Sequence, residues 1–117
     1  MSASLAIITV VYNNYTVLHD FFTSLATQDT NKFHVFVVDL STEPQQYEYL
    51  PFVTLLKAPN KGYAFGINQG VHKATEQGYT NFVAINSDVY VAPNFVDATL
   101  TSLQNNSNTI TAIGGSN

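Results

Sequence analysis

The amino-acid sequence predicts an α/β protein with a doubly wound, mostly parallel sheet and helices on both faces. Its first strongly apolar run, residues 5–12 (LAIITVVY), is continuous rather than alternating, which is typical of a parallel strand buried on both faces. Further apolar runs alternate with segments whose apolar residues repeat at helical spacing, and this alternation favours parallel strands joined by helices. A length of 117 residues favours one domain, covering residues 1–117.

The first half of the chain predicts a strand, a helix and two further strands. Behind the first strand, apolar residues one, three and four positions apart predict a helix over residues 16–27 with a single apolar stripe. Phe33–Asp39 and Val53–Lys57 are short apolar runs bounded by turn-forming residues, and both are predicted strands. Residues 41–51 between them are rich in turn-forming residues and leave room for one helical turn near residues 45–50.

The second half predicts two helices and two strands. Heptad-like apolar spacing predicts a helix over residues 65–77, and Gly78 stands where a left-handed residue usually ends a helix. Pro93 suits the first turn of a later helix, because that position needs no backbone N–H. The remaining predicted elements are a strand at residues 82–86, a short extended piece at residues 89–91, that later helix running to about Gln104, and a last strand at residues 109–113.

Composition excludes several classes of function. Four lysines, no arginine and eight acidic residues give a formal net charge of −4, which argues against nucleic acid as a partner. The chain has no cysteine, so disulfides, thiolate zinc sites and thiol catalysis are excluded. The spacing of its glycines matches neither the dinucleotide-binding pattern nor the Walker phosphate-binding pattern, and its histidines form no metalloprotease motif. Residues 1–12 fit neither a secretory signal nor a membrane span, which predicts a cytoplasmic protein.

Polar side chains follow the predicted strands where each strand ends. These residues are Asn13, Asp39, Asn60 and Asp88. If the strands are parallel, their carboxyl ends lie along one edge of the sheet, and ligands of doubly wound proteins bind beyond that edge. We therefore expect these four residues to share one binding edge.

Asn86 and Asp88 are candidate ligands for a hard cation. Two oxygen-bearing side chains two positions apart at a strand terminus can point the same way. Mg²⁺ or Mn²⁺ takes one or two such oxygens from protein and the others from phosphate and water. A bound diphosphate would need this metal, because the chain has no arginine to neutralise it. The alternative interpretation is that Asn86-Ser87-Asp88 is only a turn.

Asp39 has two interpretations as well. Its carboxylate, at the end of a buried strand, can accept hydrogen bonds from the base or the ribose of a nucleoside. Alternatively, it starts an Asx turn with Ser41.

Residues 60–70 (NKGYAFGINQG) are unusual for a helix start. Gly66 and Gly70 each weaken the helix, so a close approach of helix to sheet or of backbone to ligand is expected there. Gly62 would let backbone N–H groups face an anion. Asn68 interrupts an apolar stripe and is either a buried polar group with a partner or a ligand contact.

Taken together, four motifs resemble the family-2 glycosyltransferases with the GT-A fold, and within them the rhamnosyltransferase-like subgroup. In chain order they are Thr9-Val10-Val11-Tyr12-Asn13, Val37-Val38-Asp39-Leu40-Ser41, the Asn-x-Gly-Tyr-Ala-x-Gly-x-Asn-x-Gly pattern of residues 60–70, and Asn86-Ser87-Asp88 followed by Pro93. The resemblance spans residues 5–115. Asn86 departs from it, since an aspartate is usual at this position.

The resemblance implies a role for each of these positions. Asp39 would contact the nucleoside of a nucleoside diphosphate-sugar donor, and Asp88 with Asn86 would hold Mg²⁺ or Mn²⁺ on the diphosphate. The other residues implied to line the donor pocket are Thr9, Tyr12, Asn13, Asn60, Gly62, Tyr63 and Asn68.

The resemblance also implies the reaction. We expect the N-terminal, donor-binding part of a longer enzyme that transfers a glycosyl group to a saccharide or lipid-linked acceptor in cell-surface polysaccharide synthesis. The catalytic residues are unknown, and the base is expected beyond Asn117, because Asp97 is better explained by the helix dipole. A peripheral position at the inner membrane face would suit the full-length protein, and we expect the chain to self-associate.

Two other classes of function compete with this interpretation. One is a nucleotide-sugar-binding or scaffolding module without turnover, which fits the scarcity of carboxylates after Asp88. The other is a flavodoxin-like signalling domain, which would require an acidic cluster where Asn13 and Asn14 stand.

Overall fold

A computed structural model describes residues 5–42, 50–89, 91–105 and 110–113, and for residues 105 and 110–113 it describes the backbone alone. Five parallel strands form one sheet in the order β3-β2-β1-β4-β5, with helices between them. This confirms the predicted parallel α/β fold. The elements are β1 (Leu5–Val11), α1 (Thr16–Ala26), β2 (Phe33–Asp39), β3 (Val53–Lys57), α2 (Tyr63–Glu76), β4 (Asn81–Ile85), α3 (Phe95–Asn105) and β5 (Ile110–Ile113).

Each face of the sheet carries its own apolar core. Alternate side chains of β1 and β2, beginning with Leu5 and Phe33, pack with α1 and α3, while those between them, including Ala6 and Phe36, pack with α2. The sheet is thus covered on both faces, which explains why β1 and β2 are continuously apolar in sequence. Among the described residues, no helix combines the length and apolar character needed to cross a bilayer.

Helix α2 approaches the sheet closely at its two internal glycines. A Cβ atom on Gly70 would lie 2.4 Å from Cγ2 of Ile8 in β1, and one on Gly66 would lie 2.9 Å from Cγ2 of Val10. Both glycines therefore leave room for β1, as the packing interpretation predicts. Gly78 has φ +94° after the helix, which confirms the predicted left-handed position.

Several predicted boundaries were wrong. Helix α2 begins at Tyr63 rather than residue 65, because Gly62 at φ +101° turns the chain directly into the helix. Pro93 lies in a turn before α3, closed by the Phe95 N–H on the Ala92 carbonyl at 2.9 Å.

Two further predictions concern irregular segments, namely the extended piece at residues 89–91 and the helical turn near residues 45–50. Val89 and Val91 are not in a strand, and the Val91 N–H bonds a side chain rather than a neighbouring strand. A helical turn was predicted near residues 45–50. Residues 45–49 lie outside the described part of the chain, and Leu50 is not helical.

Candidate functional site

The carboxyl edge of the sheet gathers the loops that were predicted to bind a ligand. Strands β1 to β4 are parallel and adjacent in the order β3-β2-β1-β4, so their carboxyl ends lie along one edge. Asn13, Asp39, Asn60 and Asp88 stand at or just after those ends. The expected common edge is therefore present.

Asp39 is a buried carboxylate held by two hydrogen bonds. It is 3% exposed, the Tyr15 hydroxyl donates to Oδ2 at 2.6 Å, and the Ser41 N–H donates to Oδ1 at 2.9 Å. The second bond is the Asx turn that sequence reasoning proposed as the alternative to nucleoside binding. Because both oxygens already accept a hydrogen bond within the chain, a ligand would share this carboxylate with Tyr15 and Ser41.

Asn13 joins the loop after β1 to the loop after β2. Its backbone has φ +56°, a left-handed conformation that asparagine tolerates better than most residues. Its N–H donates to Oγ of Ser41 at 2.8 Å, and its Oδ1 accepts from the Thr42 N–H at 3.2 Å. The side chain of Asn13 is therefore occupied in joining the two loops beside Asp39.

Thr9 carries a buried hydroxyl that the surrounding chain does not satisfy. The residue is fully buried in β1, beside Val37 of β2, and its Oγ1 has no hydrogen-bond partner among the described residues. Thr9 and Asp39 lie on the face of the sheet that packs against α1, because strand side chains alternate. A buried hydroxyl without a partner costs about 1–3 kcal/mol, so a polar partner here would stabilise the protein.

The loops before α2 and after β4 also meet at this edge. Oδ1 of Asn60 accepts the Gly62 N–H at 3.1 Å, so that N–H is not free to face an anion. The Tyr63 hydroxyl donates to Oδ1 of Asn86 at 3.5 Å, a long and weak bond, and partial burial raises the pKa of Tyr63. Tyr63 is half exposed, as is Tyr12 after β1.

Asn68 is exposed on α2, so the interpretation as a buried polar group was wrong. The apolar side chains of this helix, including Ile67 and Val71, face the sheet, and Asn68 lies outside that stripe. Contact with a ligand remains the prediction for this residue.

Asp88 offers an exposed carboxylate with no ion pair or hydrogen bond to any other residue that the structure describes. Asn86, two residues earlier, adds an amide oxygen. No group of three or more histidine or acidic side chains able to hold a metal occurs among the described residues. Asn86 and Asp88 are the residues here that could offer oxygens to a cation, and Mg²⁺ takes one or two protein oxygens where phosphates and water supply the others.

Comparison with known proteins gives a family match for this chain. The family model described as glycosyl transferase family 2 matches residues 6–115, nearly the whole chain. The chain belongs to glycosyl transferase family 2. No curated protein matches it.

Solved structures show the same fold for this family-2 chain. It resembles the crystal structure of Staphylococcus aureus TarS residues 1–349, with a TM-score of 0.71, 20% identity, and coverage of 87% of this chain and 32% of that one. A second S. aureus TarS structure gives a TM-score of 0.61 and 22% identity, with coverage of 87% and 20%. The family-2 chain therefore has the GT-A fold and spans about a third of the TarS chain or less.

Charge in this family-2 chain is divided between the two edges of the sheet. Lys57 ends β3 and Lys61 precedes α2, so both belong to the carboxyl edge, where Lys61 lies 5.5 Å from the ring centre of Phe65. Neither forms an ion pair with a described residue. Lys32, in contrast, bonds Asp97 at 2.9 Å beside a groove of about 490 Å³ outside that edge, and Asp97 raises the pKa of Lys32 through this bond.

Sequence reasoning missed two side chains at the ends of α1 that form hydrogen bonds to residues distant in sequence. Tyr15 lies at the start of α1, and Gln28 follows its end. Tyr15 bonds a residue 24 positions away, and Gln28 bonds backbone atoms 64 and 68 positions away. No local spacing signal connects such residues, because their proximity depends on how α1 packs.

Proposed function

We propose that this family-2 glycosyltransferase chain binds a nucleoside diphosphate-sugar together with Mg²⁺ or Mn²⁺, as the donor-binding part of a longer enzyme. The observation that carries the proposal is the carboxyl edge itself. There the buried, hydrogen-bonded carboxylate of Asp39 ends β2, and the exposed carboxylate of Asp88, which has no partner among the described residues, follows β4 on the other side of β1. Ligands of doubly wound sheets bind beyond this edge.

The nucleoside would bind beside β1 and β2. Asp39 would accept hydrogen bonds from it, with Tyr15 and Ser41 holding the carboxylate in place. The Thr9 hydroxyl, which has no hydrogen-bond partner among the residues that the structure describes, would gain one, and the exposed ring of Tyr12 would cover the base or ribose. Asn13 supports this side by joining the two loops.

The diphosphate-sugar would extend toward β4 and the start of α2. Asn60, Gly62, Tyr63 and Asn68 would line this side. Asp88 and the amide oxygen of Asn86 would hold the metal, which supplies positive charge to stabilise the departing diphosphate when it is bound. Lys57 and Lys61 would add to the positive potential that attracts the donor.

The transfer step would use parts of the enzyme outside these residues. An acceptor hydroxyl, of a saccharide or a lipid-linked saccharide, would be deprotonated by a base beyond Asn117 and would attack the anomeric carbon. We place the enzyme in the rhamnosyltransferase-like subgroup and in cell-surface polysaccharide synthesis, in the cytoplasm or at the inner membrane face, on the strength of the four sequence motifs. Self-association of the chain is also part of this proposal.

Calorimetric titration with UDP, dTDP and GDP, each with and without Mn²⁺, tests donor binding. We expect the wild type to bind at least one of them more tightly with Mn²⁺. Asp88→Ala should remove the Mn²⁺-dependent gain, and Asp39→Ala should weaken binding with and without metal. Asp20→Ala, which removes an exposed carboxylate from the middle of α1, is the matched control and should bind like the wild type. Absence of nucleotide binding, or binding indifferent to both site variants, would reject the proposal.

A nucleotide-sugar-binding or scaffolding module without turnover is the second candidate, and the observation that favours it is the placement of Asp97. Its carboxylate forms an ion pair with Lys32 outside the carboxyl edge and is therefore not placed to act as a base at that edge. A sugar-transfer and donor-hydrolysis assay separates the two functions. Turnover by these 117 residues alone would contradict the placement of the base beyond Asn117.

A further inference from the structure

The segment that follows Asp88 is hydrogen-bonded to the end of α1. The Val91 N–H donates to Oγ of Ser24 at 3.2 Å. The Gln28 side chain donates through Nε2 to the Ala92 carbonyl at 3.0 Å and accepts the Val96 N–H on Oε1 at 2.8 Å. Three backbone groups on the way from β4 into α3 are therefore held by two side chains.

These two side chains are themselves oriented by α1. The Ser24 hydroxyl donates its proton to the Phe21 carbonyl at 2.8 Å, which leaves its oxygen as the acceptor for Val91. The backbone N–H of Gln28 bonds the Leu25 carbonyl at 3.0 Å and keeps Gln28 close to the helix. The Val96 N–H is one of the first N–H groups of α3, which lack partners within the helix, so Gln28 caps α3 as well as holding the turn before it.

Apolar packing alone would not define the position of this segment. Val89, Val91 and Phe95 pack against the core beside α1, but burial of apolar surface is not directional and tolerates sliding along the chain axis. Hydrogen bonds to Ser24 and Gln28 specify which backbone atom lies where. Asp88, which has no partner of its own among the described residues, is placed by β4 on one side and by these bonds on the other.

We propose that Ser24 and Gln28 are positioning residues for Asp88, and that through Val91, Ala92 and Val96 they set the affinity of the site for the cation and diphosphate. This inference rests on the proposed function for its ligand. It assigns to the end of α1, outside the donor pocket, a role in metal-dependent binding. Groups that orient metal ligands from outside the site commonly change metal affinity by about 10–100-fold when they are removed.

A test compares Gln28→Leu, which removes the hydrogen bonds to Ala92 and Val96, with Gln28→Glu, which keeps the acceptor for Val96 and loses the donor to Ala92. Lys32→Gln is the matched control, because it breaks the Lys32–Asp97 ion pair between the same two parts of the chain without touching the segment after Asp88. Two quantities are measured on the full 117-residue chain: amide hydrogen exchange of Ser87, Asp88 and Val89, and nucleotide affinity with and without Mn²⁺.

We expect Gln28→Leu to accelerate exchange at these amides and to reduce the Mn²⁺-dependent gain in affinity by about tenfold, with metal-free affinity unchanged. In Gln28→Glu, the exchange rates and the Mn²⁺-dependent gain in affinity should lie between those of Gln28→Leu and the wild type. In Lys32→Gln, both should equal those of the wild type. If Gln28→Leu does not fold, Gln28→Glu carries the test with the same two measurements.

Three outcomes would overturn the inference. In the first, amide exchange in Gln28→Leu is the same as in the wild type. In the second, exchange is faster but the Mn²⁺-dependent gain in nucleotide affinity is fully retained. In the third, nucleotide affinity falls equally with and without Mn²⁺, which would indicate a purely structural role. If the wild type binds no nucleotide, the proposed function fails together with the assignment of the ligand. Hydrogen exchange then decides separately whether Gln28 positions Asp88.

Discussion

At the scale of single residues, the site is organised around the buried carboxylate of Asp39. Burying a charge is costly unless hydrogen bonds replace those lost from water. The Tyr15 hydroxyl and the Ser41 N–H provide two such bonds, and the Ser41 hydroxyl in turn accepts the Asn13 N–H. A residue expected to recognise a ligand is thus also part of the folded structure, so its substitution affects both stability and binding.

Tyr15→Phe tests this double role. The variant keeps the buried ring and removes the hydroxyl that bonds Asp39, and hydrogen bonds to charged groups contribute about 1.5–3 kcal/mol. We expect the free energy of unfolding to fall by about 2 kcal/mol in urea denaturation. Tyr12→Phe, at an exposed tyrosine of the same edge, should change it by less than about 0.5 kcal/mol. Equal values for the two variants would show that the Tyr15 hydroxyl does not stabilise the buried carboxylate.

At the scale of elements, helix α2 is matched to the sheet by its glycines. Gly66 and Gly70 face β1, where a methyl group would overlap with Val10 and Ile8. The low helix propensity of these residues is offset by closer packing of the helix on the sheet. This packing places the start of α2, with Tyr63, beside Asn86 and therefore shapes the candidate site.

Gly70→Ala should destabilise the protein although alanine favours helices. The added Cβ would lie 2.4 Å from Cγ2 of Ile8 and 3.2 Å from Cγ2 of Val38. Overpacking costs about 1–3 kcal/mol, against a gain in helix propensity of about 1 kcal/mol. We expect a net loss of about 1 kcal/mol in the free energy of unfolding, measured by chemical denaturation.

The exposed neighbour Gln69 supplies the control for Gly70. Gln69→Ala changes the same helix without meeting the sheet and should shift the free energy of unfolding by less than about 0.5 kcal/mol. A Gly70→Ala protein as stable as the wild type would mean that α2 can move away from β1 at no cost.

At the scale of the whole molecule, two cores on opposite faces of one parallel sheet hold the carboxyl edge in place. His34 belongs to the α2 face, where its Nε2 lies 2.6 Å from Oγ1 of Thr54 and its ring contacts Phe36 and Tyr79. Burial lowers the pKa of His34 below its ordinary value of 6.5. Global stability is therefore linked to the protonation of a residue outside the site.

The sign of that linkage follows from the lowered pKa. The folded protein binds a proton at His34 less readily than the unfolded chain, so stability is full above about pH 6.5 and is lost as the pH falls through the lowered pKa. We expect urea unfolding midpoints to fall between pH 7 and pH 5, and the fall to be smaller in His34→Gln. His19→Gln, at an exposed histidine of α1, should keep the wild-type dependence. If the unfolding midpoint of His34→Gln depends on pH as strongly as that of the wild type, the protonation of His34 does not control this loss of stability.

Much of the architecture could be predicted from sequence because the strands of this sheet are locally distinctive. Continuous apolar runs identified β1 and β2, and turn residues delimited β3 and β4. The predictions failed where contacts distant in sequence decide the conformation. Pro93 was placed inside a helix, yet the chain forms a turn there, and α3 begins at Phe95 with Gln28 bonded to the Val96 N–H.

The sequence by itself determined the order of the strands along the chain, their parallel arrangement and the polar residues at their ends, since these depend on local apolar patterns and on the short distance between neighbours. Only the tertiary structure decided that Asp39 is buried and bonded to Tyr15, that Asn68 is exposed, and that the end of α1 holds the segment after Asp88. Those features depend on which side chains meet when helices pack on the sheet, and packing brings together residues whose separation along the chain carries no local signal.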